Sequence, residues 1–152
     1  MSGATVGNWP PSRSPNGIFV DRCLGKRLPY GLSVLGLDPL PMREVYDDDG
    51  NALEDVLWIH EAAAHGYPII TSDKAIASNP DEIDAVRDSG AKVFVIGRND
   101  IPAAQAGLII GRHFLTIRRR MRRPGGCLWV LHAVKPIEKR HEEQPRRKRT
   151  NR

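Results

Sequence analysis

Three aspartates stand where a chain of this kind would do chemistry. Asp21 follows directly on Ile18-Phe19-Val20, Asp73 follows Ile69-Ile70-Thr71-Ser72, and Asp55 opens the helix-like stretch Val56-Leu57-Trp58-Ile59. In an open α/β sheet, ligands gather outside the carboxyl ends of the strands, so acids just after apolar runs sit at the working edge. Carboxylates brought together repel and raise one another's pKa. A hard divalent cation with oxygen ligands relieves that repulsion. Glu54 beside Asp55, and Asn99 and Asp100 after Val93-Phe94-Val95-Ile96, are further candidates. Their plainer roles are structural: Glu54 or Asp55 complements a helix dipole, and Asn99 or Asp100 caps the next helix.

Other chemically capable groups point nowhere so definite. His60-Glu61 followed by His65 resembles a metalloprotease helix, but the two histidines lie five residues apart, about 140° around a helix. Asp47-Asp48-Asp49-Gly50 reads as a turn without the alternating acids and terminal Glu of a calcium loop. Cys23 and Cys127 match neither a disulfide framework nor a zinc spacing, as expected of reduced thiols in a cytoplasmic protein. There is no Gly-rich phosphate loop, which argues against a nucleotide cofactor, and no nucleophile elbow.

Charge divides the chain. Residues 1–100 carry 9 Lys and Arg against 15 Asp and Glu, whereas residues 101–152 carry 14 against 3, together giving the net +5. Arg118, Arg119, Arg120, Arg122 and Arg123 exceed what capping a helix C-terminus requires, so a phosphate-contacting patch is expected there. Lys74 adds a cation beside Asp73. An acidic body joined to a basic third suits a polyanion held near a metal-loaded carboxylate cluster.

The elements that must position these groups follow from periodicity. Apolar runs predict strands at Ile18–Val20, Leu40–Val45 (an edge, given Pro39 and Pro41), Pro68–Thr71, Lys92–Ile96 and Cys127–Val134. Leu24, Leu28, Leu32 and Leu35 predict a helix to about Gly36, with Pro29 as a possible kink. A second helix runs from Leu53 to Ala64. A third is capped by Asn79, with Pro80 at its first position and Glu82 at capping-box spacing, and ends near Gly90. A fourth carries the buried stripe Ala106, Ile110, His113, Ile117 and Met121. Strand and helix alternate as in a doubly wound α/β domain over residues 18–134. Residues 1–17 read as a flexible leader without a secretory pattern, and residues 135–152 as a basic, disordered tail. No apolar run approaches the roughly 20 residues of a membrane span.

The order Ile18-Phe19-Val20-Asp21, then Asp55-Val56-Leu57-Trp58-Ile59, then Thr71-Ser72-Asp73-Lys74, then Val93-Phe94-Val95-Ile96 resembles a PIN-like domain. It is most similar to the subgroup allied to VapC-type toxins, which carry Asp-x-x-Trp-Ile before Thr-x-Asp-Lys/Arg. The resemblance implies a three-layer α/β/α domain with a central, mostly parallel sheet, and an endoribonuclease dependent on Mg²⁺ or Mn²⁺. It implies Asp21, Asp55 and Asp73 as metal-binding residues, none a covalent nucleophile, and Thr71 as the hydroxyl bracing Asp73. Asn99 or Asp100 falls nearest the family's fourth acid, while the Asp-x-Asp doublet of many members is missing because Ala75 stands two residues beyond Asp73. RNA as substrate, an antitoxin protein as partner and a homodimer are the associations it implies. Two other classes compete: a catalytically silent module binding RNA or protein, and a phospho-acceptor switch. The second needs adjacent acids at the first strand, where Asp21 has Val20 and Arg22 beside it.

Overall fold

A strand that is apolar at every position needs cover on both faces. The computed structural model of the chain, which describes residues 6–47, 53–98 and 100–143, shows that cover. The strands are β1 (Gly17–Val20), β2 (Asp38–Pro41), β3 (Ile69–Thr71), β4 (Lys92–Ile96), β5 (Cys127–Leu131) and β6 (Glu138–Glu142). The helices are α1 (Leu28–Val34), α2 (Met42–Val45), α3 (Asp55–Ala64), α4 (Ala75–Ser78), α5 (Pro80–Ser89) and α6 (Ala103–Arg122). One sheet runs in the order β2-β1-β3-β4-β5-β6, parallel except for β6, which pairs antiparallel with β5.

Alternate strand residues enter two cores. Phe19, Ile69, Val93, Val95, Leu128 and Val130 pack with Trp58, Ile59, Ile76 and Val86 from α3, α4 and α5. Ile18, Val20, Ile70, Phe94, Ile96, Trp129 and Leu131 pack with Leu28, Leu32, Ile110 and Ile117 from α1 and α6. The result is a three-layer α/β/α domain in which each buried aliphatic side chain contributes about 1.5–3 kcal/mol. The chain leaves β1 for β2 on one side and places β3 on the other. The switch point of the sheet therefore lies between the carboxyl ends of β1 and β3, where ligands bind in such folds.

Several local expectations change. The expected strand over residues 40–45 is instead β2, ending at Pro41, and Met42–Val45 turns helical; β2 does lie at the edge, where proline's missing N–H is harmless. The helix expected from Leu24 begins only at Leu28, after a 3₁₀ turn over Arg22–Leu24 and Gly25 at φ 74°. Pro29 thus falls in the first turn of α1, where no N–H is needed, and introduces no kink.

Both ends of the chain hold more structure than composition suggested. From Val6 onward the expected flexible leader is docked: the Val6 and Gly7 N–H groups and Trp9 Nε1 all donate to the Glu61 carboxylate of α3, at 2.8, 3.0 and 2.9 Å. Tyr46 Oη donates to it as well, at 2.7 Å, and Trp9 is buried and stacked on His65 at 5.0 Å. Within the tail expected to be disordered over residues 135–152, Glu138–Glu142 forms β6, and residues 144–152 lie outside the described residues. Glu142 of β6 accepts from Arg120 Nε at 2.9 Å and Trp129 Nε1 at 2.7 Å, and also pairs with Arg123. The acidic turn expected around Asp47 to Asn51 lies mostly outside the described residues, Asp47 itself being exposed.

Candidate metal centre

Asp21 follows β1 and Asp73 lies two residues beyond β3, so the two carboxylates flank the switch point from either side. Asp55, in the first turn of α3, completes the convergence. Asp21, Asp55, Asp73 and Asp100, with Arg22, Cys23 and Ser72, line one cavity of about 300 Å³. Four chain segments far apart in sequence thus meet at one rim of the sheet.

Each carboxylate is held. Thr71 Oγ1 donates to Asp21 Oδ2 at 2.7 Å and accepts the Asp73 N–H at 3.0 Å. The expected brace for the Asp73 side chain therefore grips Asp21 instead, and only the backbone of Asp73. The Asp73 carboxylate accepts the Ala75 N–H at 3.0 Å. Trp58 Nε1 donates to Asp55 Oδ1 at 2.9 Å, a pairing that helical i, i+3 spacing makes natural. Burial pushes the Asp21 pKa up, the Thr71 and Cys23 hydrogen bonds oppose it, and the charges of Asp55 and Asp73 raise it further. Burial and the Asp21 charge likewise raise the pKa of the Cys23 thiol, whose Sγ lies 3.2 Å from Ser72 Oγ.

One acid at the centre has a different role from the one its spacing suggests. Asn79 does cap α5, accepting from Asp81 N at 3.0 Å. Glu82, at capping-box spacing, does not reach back, because the Asn79 N–H is already bonded to Ala75 O at 2.7 Å. Glu82 is instead turned inward, 7% exposed, with Oε2 unpartnered. One carboxylate oxygen from each of Asp55, Asp73 and Glu82 falls within a 4.8 Å cluster. Desolvation, then the hydrogen bond and charge of Asp55 and the charge of Asp73, push the Glu82 pKa up to about 8. A buried carboxylate oxygen with no donor, facing two further carboxylates, is a donor set that fits a hard divalent cation.

Of the remaining candidates, Glu54 is exposed at the N-cap of α3 and does not line the cavity. Asp100, at φ 50°, lines it and does not cap α6, whose N-cap is Pro102. Asn99 lies outside the described residues. The arginine cluster lies at the other end of the strands, beside the turn into Cys127, which pairs with the first residue of β4. Arg120 there is a correction: at 2% exposure it donates to Glu142 and to the carbonyls of Arg123, Gly125 and Gly126, and is spent inside the fold. Arg123 also pairs with Glu142, Arg118 is half-buried, and Arg119, Arg122 and Lys74 are exposed. His113 is a satisfied core histidine, its Nε2 2.9 Å from His132 O.

Fold and site together define an α/β/α domain with an acidic, cation-fitting pocket at the switch point of its sheet. The chain belongs to the PIN-like domain family: the family model described as PIN like domain matches residues 17–98. A curated relative from Mycobacterium tuberculosis (strain ATCC 25618 / H37Rv), named "Putative ribonuclease VapC45", is 33% identical over 122 residues, covering 79% of this chain and 88% of the relative. No solved structure matches the chain. No helix among the described residues is long and apolar enough to cross a membrane.

Proposed function

We propose that the chain is a divalent-metal-dependent endoribonuclease, the toxin of a toxin–antitoxin pair, acting in the cytoplasm. The observation that carries this reading is the convergence of Asp21, Asp55, Asp73 and the orphaned Glu82 oxygen on one rim; the name of the M. tuberculosis relative agrees with it. Asp55, Asp73 and Glu82 would hold Mg²⁺ or Mn²⁺, with Asp21 closing the site. A bound cation of this kind supplies Lewis-acid stabilisation of phosphodiester charge and a lowered pKa for an attacking water. The chain's own contributions are positional. Thr71 keeps the Asp21 carboxylate in place, Trp58 fixes Asp55, and Glu82 holds a proton near neutral pH until a cation displaces it. Lys74 offers positive charge to a substrate phosphate, with Arg118, Arg119 and Arg122 as more distant contacts. None of the acids is a covalent nucleophile. Residues 6–16, through the Glu61 contacts, and residues 135–143, through β6, pack as parts of this domain.

The test is Mg²⁺- or Mn²⁺-supported cleavage of single-stranded RNA by the wild type and by Asp21→Asn, Asp73→Asn and Glu82→Gln. Each substitution is expected to lower the rate by about 100-fold or more, as loss of transition-state charge stabilisation does. Undiminished cleavage by Asp73→Asn would falsify the assignment. Wild type that binds RNA but cleaves none with either metal would leave the silent binding module. An antitoxin is sought by co-expressing a neighbouring short reading frame and scoring relief of growth arrest, and a homodimer by sedimentation.

A further inference from the structure

Two further depressions lie along the carboxyl edge of the sheet. One, of about 330 Å³, is lined by Lys74, Ala77, Val95, Val130 and Arg140. The other, of about 510 Å³, is lined by Arg98, Gln105, Leu108, Ile109 and Leu131. They open on opposite faces of the sheet, since Val95 and Val130 belong to one core and Ile109 and Leu131 to the other. They share Gly97 and His132, so those two residues form a saddle over the edge. Each depression has a lining residue within two positions of one that lines the acidic cavity: Lys74 follows Asp73, and Arg98 lies two residues before Asp100.

The saddle is built rather than incidental. Arg112 donates to the carbonyls of His132, Val134 and Lys135 at 2.9, 2.7 and 2.7 Å, and His113 holds the His132 carbonyl at 2.9 Å. The backbone that presents the His132 ring is thereby fixed. Gly97 lies so close beneath that a Cβ there would meet His132 Nδ1 at 3.2 Å and Val130 Cγ1 at 3.1 Å. On the outer side, Arg140 of the edge strand β6 donates to Ala77 O of α4 at 3.2 Å while pairing with the exposed Glu138. Apolar floors with cationic rims suit bases below and phosphates above.

We infer that a single-stranded RNA leaves the acidic cavity over the Gly97–His132 saddle, with phosphates on Lys74, Arg98 and Arg140 and a base stacked on the His132 ring. The inference rests on the ribonuclease reading for the direction of the strand. A duplex is too stiff to fold over a single sheet edge, whereas unstacked bases on an aromatic ring are the usual mode for single strands. An acidic peptide offers similar chemistry, but it has no reason to begin at a carboxylate pocket.

The test is binding of a fluorescently labelled single-stranded RNA in EDTA, where cleavage is stopped, read by anisotropy at several salt concentrations. Arg98→Ala and Arg140→Ala are expected to weaken binding and to flatten the log–log salt slope by about 0.7 each. His132→Ala is expected to weaken it about tenfold with the slope unchanged, and His132→Tyr to restore it. The pair Arg43→Ala/Arg87→Ala, exposed cations elsewhere, binds as wild type. Should Arg140→Ala fail to fold, Arg98→Ala and Arg140→Lys carry the same comparison. Groove variants that bind as wild type overturn the inference, as does oligoglutamate binding with this variant dependence where RNA shows none. Groove-dependent RNA binding by a wild type that never cleaves with metal leaves the inference standing and removes the nuclease reading.

Discussion

Glu82 is the residue on which the electrostatics of the pocket turn. Its folded pKa of about 8 lies above the ordinary carboxylate value of 4.5, so the folded form binds a proton that the unfolded chain has already released. The stability that Glu82 contributes to the metal-free protein is therefore fully present below about pH 4.5 and is lost as pH rises through about 8. Glu82→Gln is expected to flatten that decline and to stabilise the metal-free protein at pH 8 by about 2 kcal/mol, the scale of relieving one buried unpaired polar group. Mg²⁺ should restore the wild type at that pH and leave the variant unmoved. Thermal denaturation across pH, with and without Mg²⁺, reads both effects. Asp21, Asp55 and Asp73 were legible in the sequence because each stands against an apolar run or a helix start. Glu82 was not, because Asn79-Pro80-Asp81-Glu82 satisfies every local rule of a capping box. What overrides the rule is the short α4: its Ala75 carbonyl takes the Asn79 N–H, and the freed carboxylate turns inward.

At the scale of elements, α3 is held at both ends by backbone and side-chain donors from elsewhere in the sequence or from its own next turn. Asp55 at its start is tied to Trp58, and Glu61 in its last turn but one gathers four donors from the N-terminal strap and Tyr46. Burial acts to raise the Glu61 pKa, but hydrogen bonds from Trp9, Tyr46, Val6 and Gly7 outweigh it and hold the carboxyl below its usual range. The sign is opposite to that of Glu82: the stabilisation from Glu61 is present above the ordinary carboxylate pKa and lost as pH falls through the folded value. Glu61→Gln should cost about 1–3 kcal/mol in urea unfolding, the scale of charged hydrogen bonds. It should also speed hydrogen exchange in the strap and α3, while cation affinity falls less than in Asp73→Asn. The parallel strands were readable because continuous apolar runs admit few other placements. The strap and β6 were not, since Ser, Pro and Gly on one side and Glu, Lys and Arg on the other resemble solvated ends. Single residues, Trp9 and Glu142, anchor them by contacts 52 and 22 residues away in the chain.

Over the whole molecule, the sequence's division of charge becomes a division of space. The acidic pocket lies at the carboxyl ends of β1 and β3, while α6, β5 and β6 carry the basic third to the far edge of the sheet. Some of that positive charge is structural. Arg120, buried against Glu142 and three carbonyls, ties α6 to β6 and to the turn before β5. Arg120→Ala should cost about 3–5 kcal/mol, since removing one member strands the other partly buried charge, whereas Arg119→Ala should fall within about 0.5 kcal/mol; denaturant unfolding separates the two.

The exposed arginines of the cluster outside the Glu142 network, Arg119 and Arg122, lie at the amino end of β5, about 17 Å of strand away from the pocket. A short RNA seated at the acidic rim cannot reach it, but a longer one passing over the sheet edge can. Substituting both arginines by Ala should therefore leave binding of a roughly 6-nucleotide RNA unchanged and weaken a 20-nucleotide RNA several-fold, with a shallower salt dependence for the longer strand only. Arg98→Ala should weaken both alike. If the distal pair affected short and long strands equally, its contribution would be a general electrostatic field, and the path over the Gly97–His132 edge would need no continuation along α6.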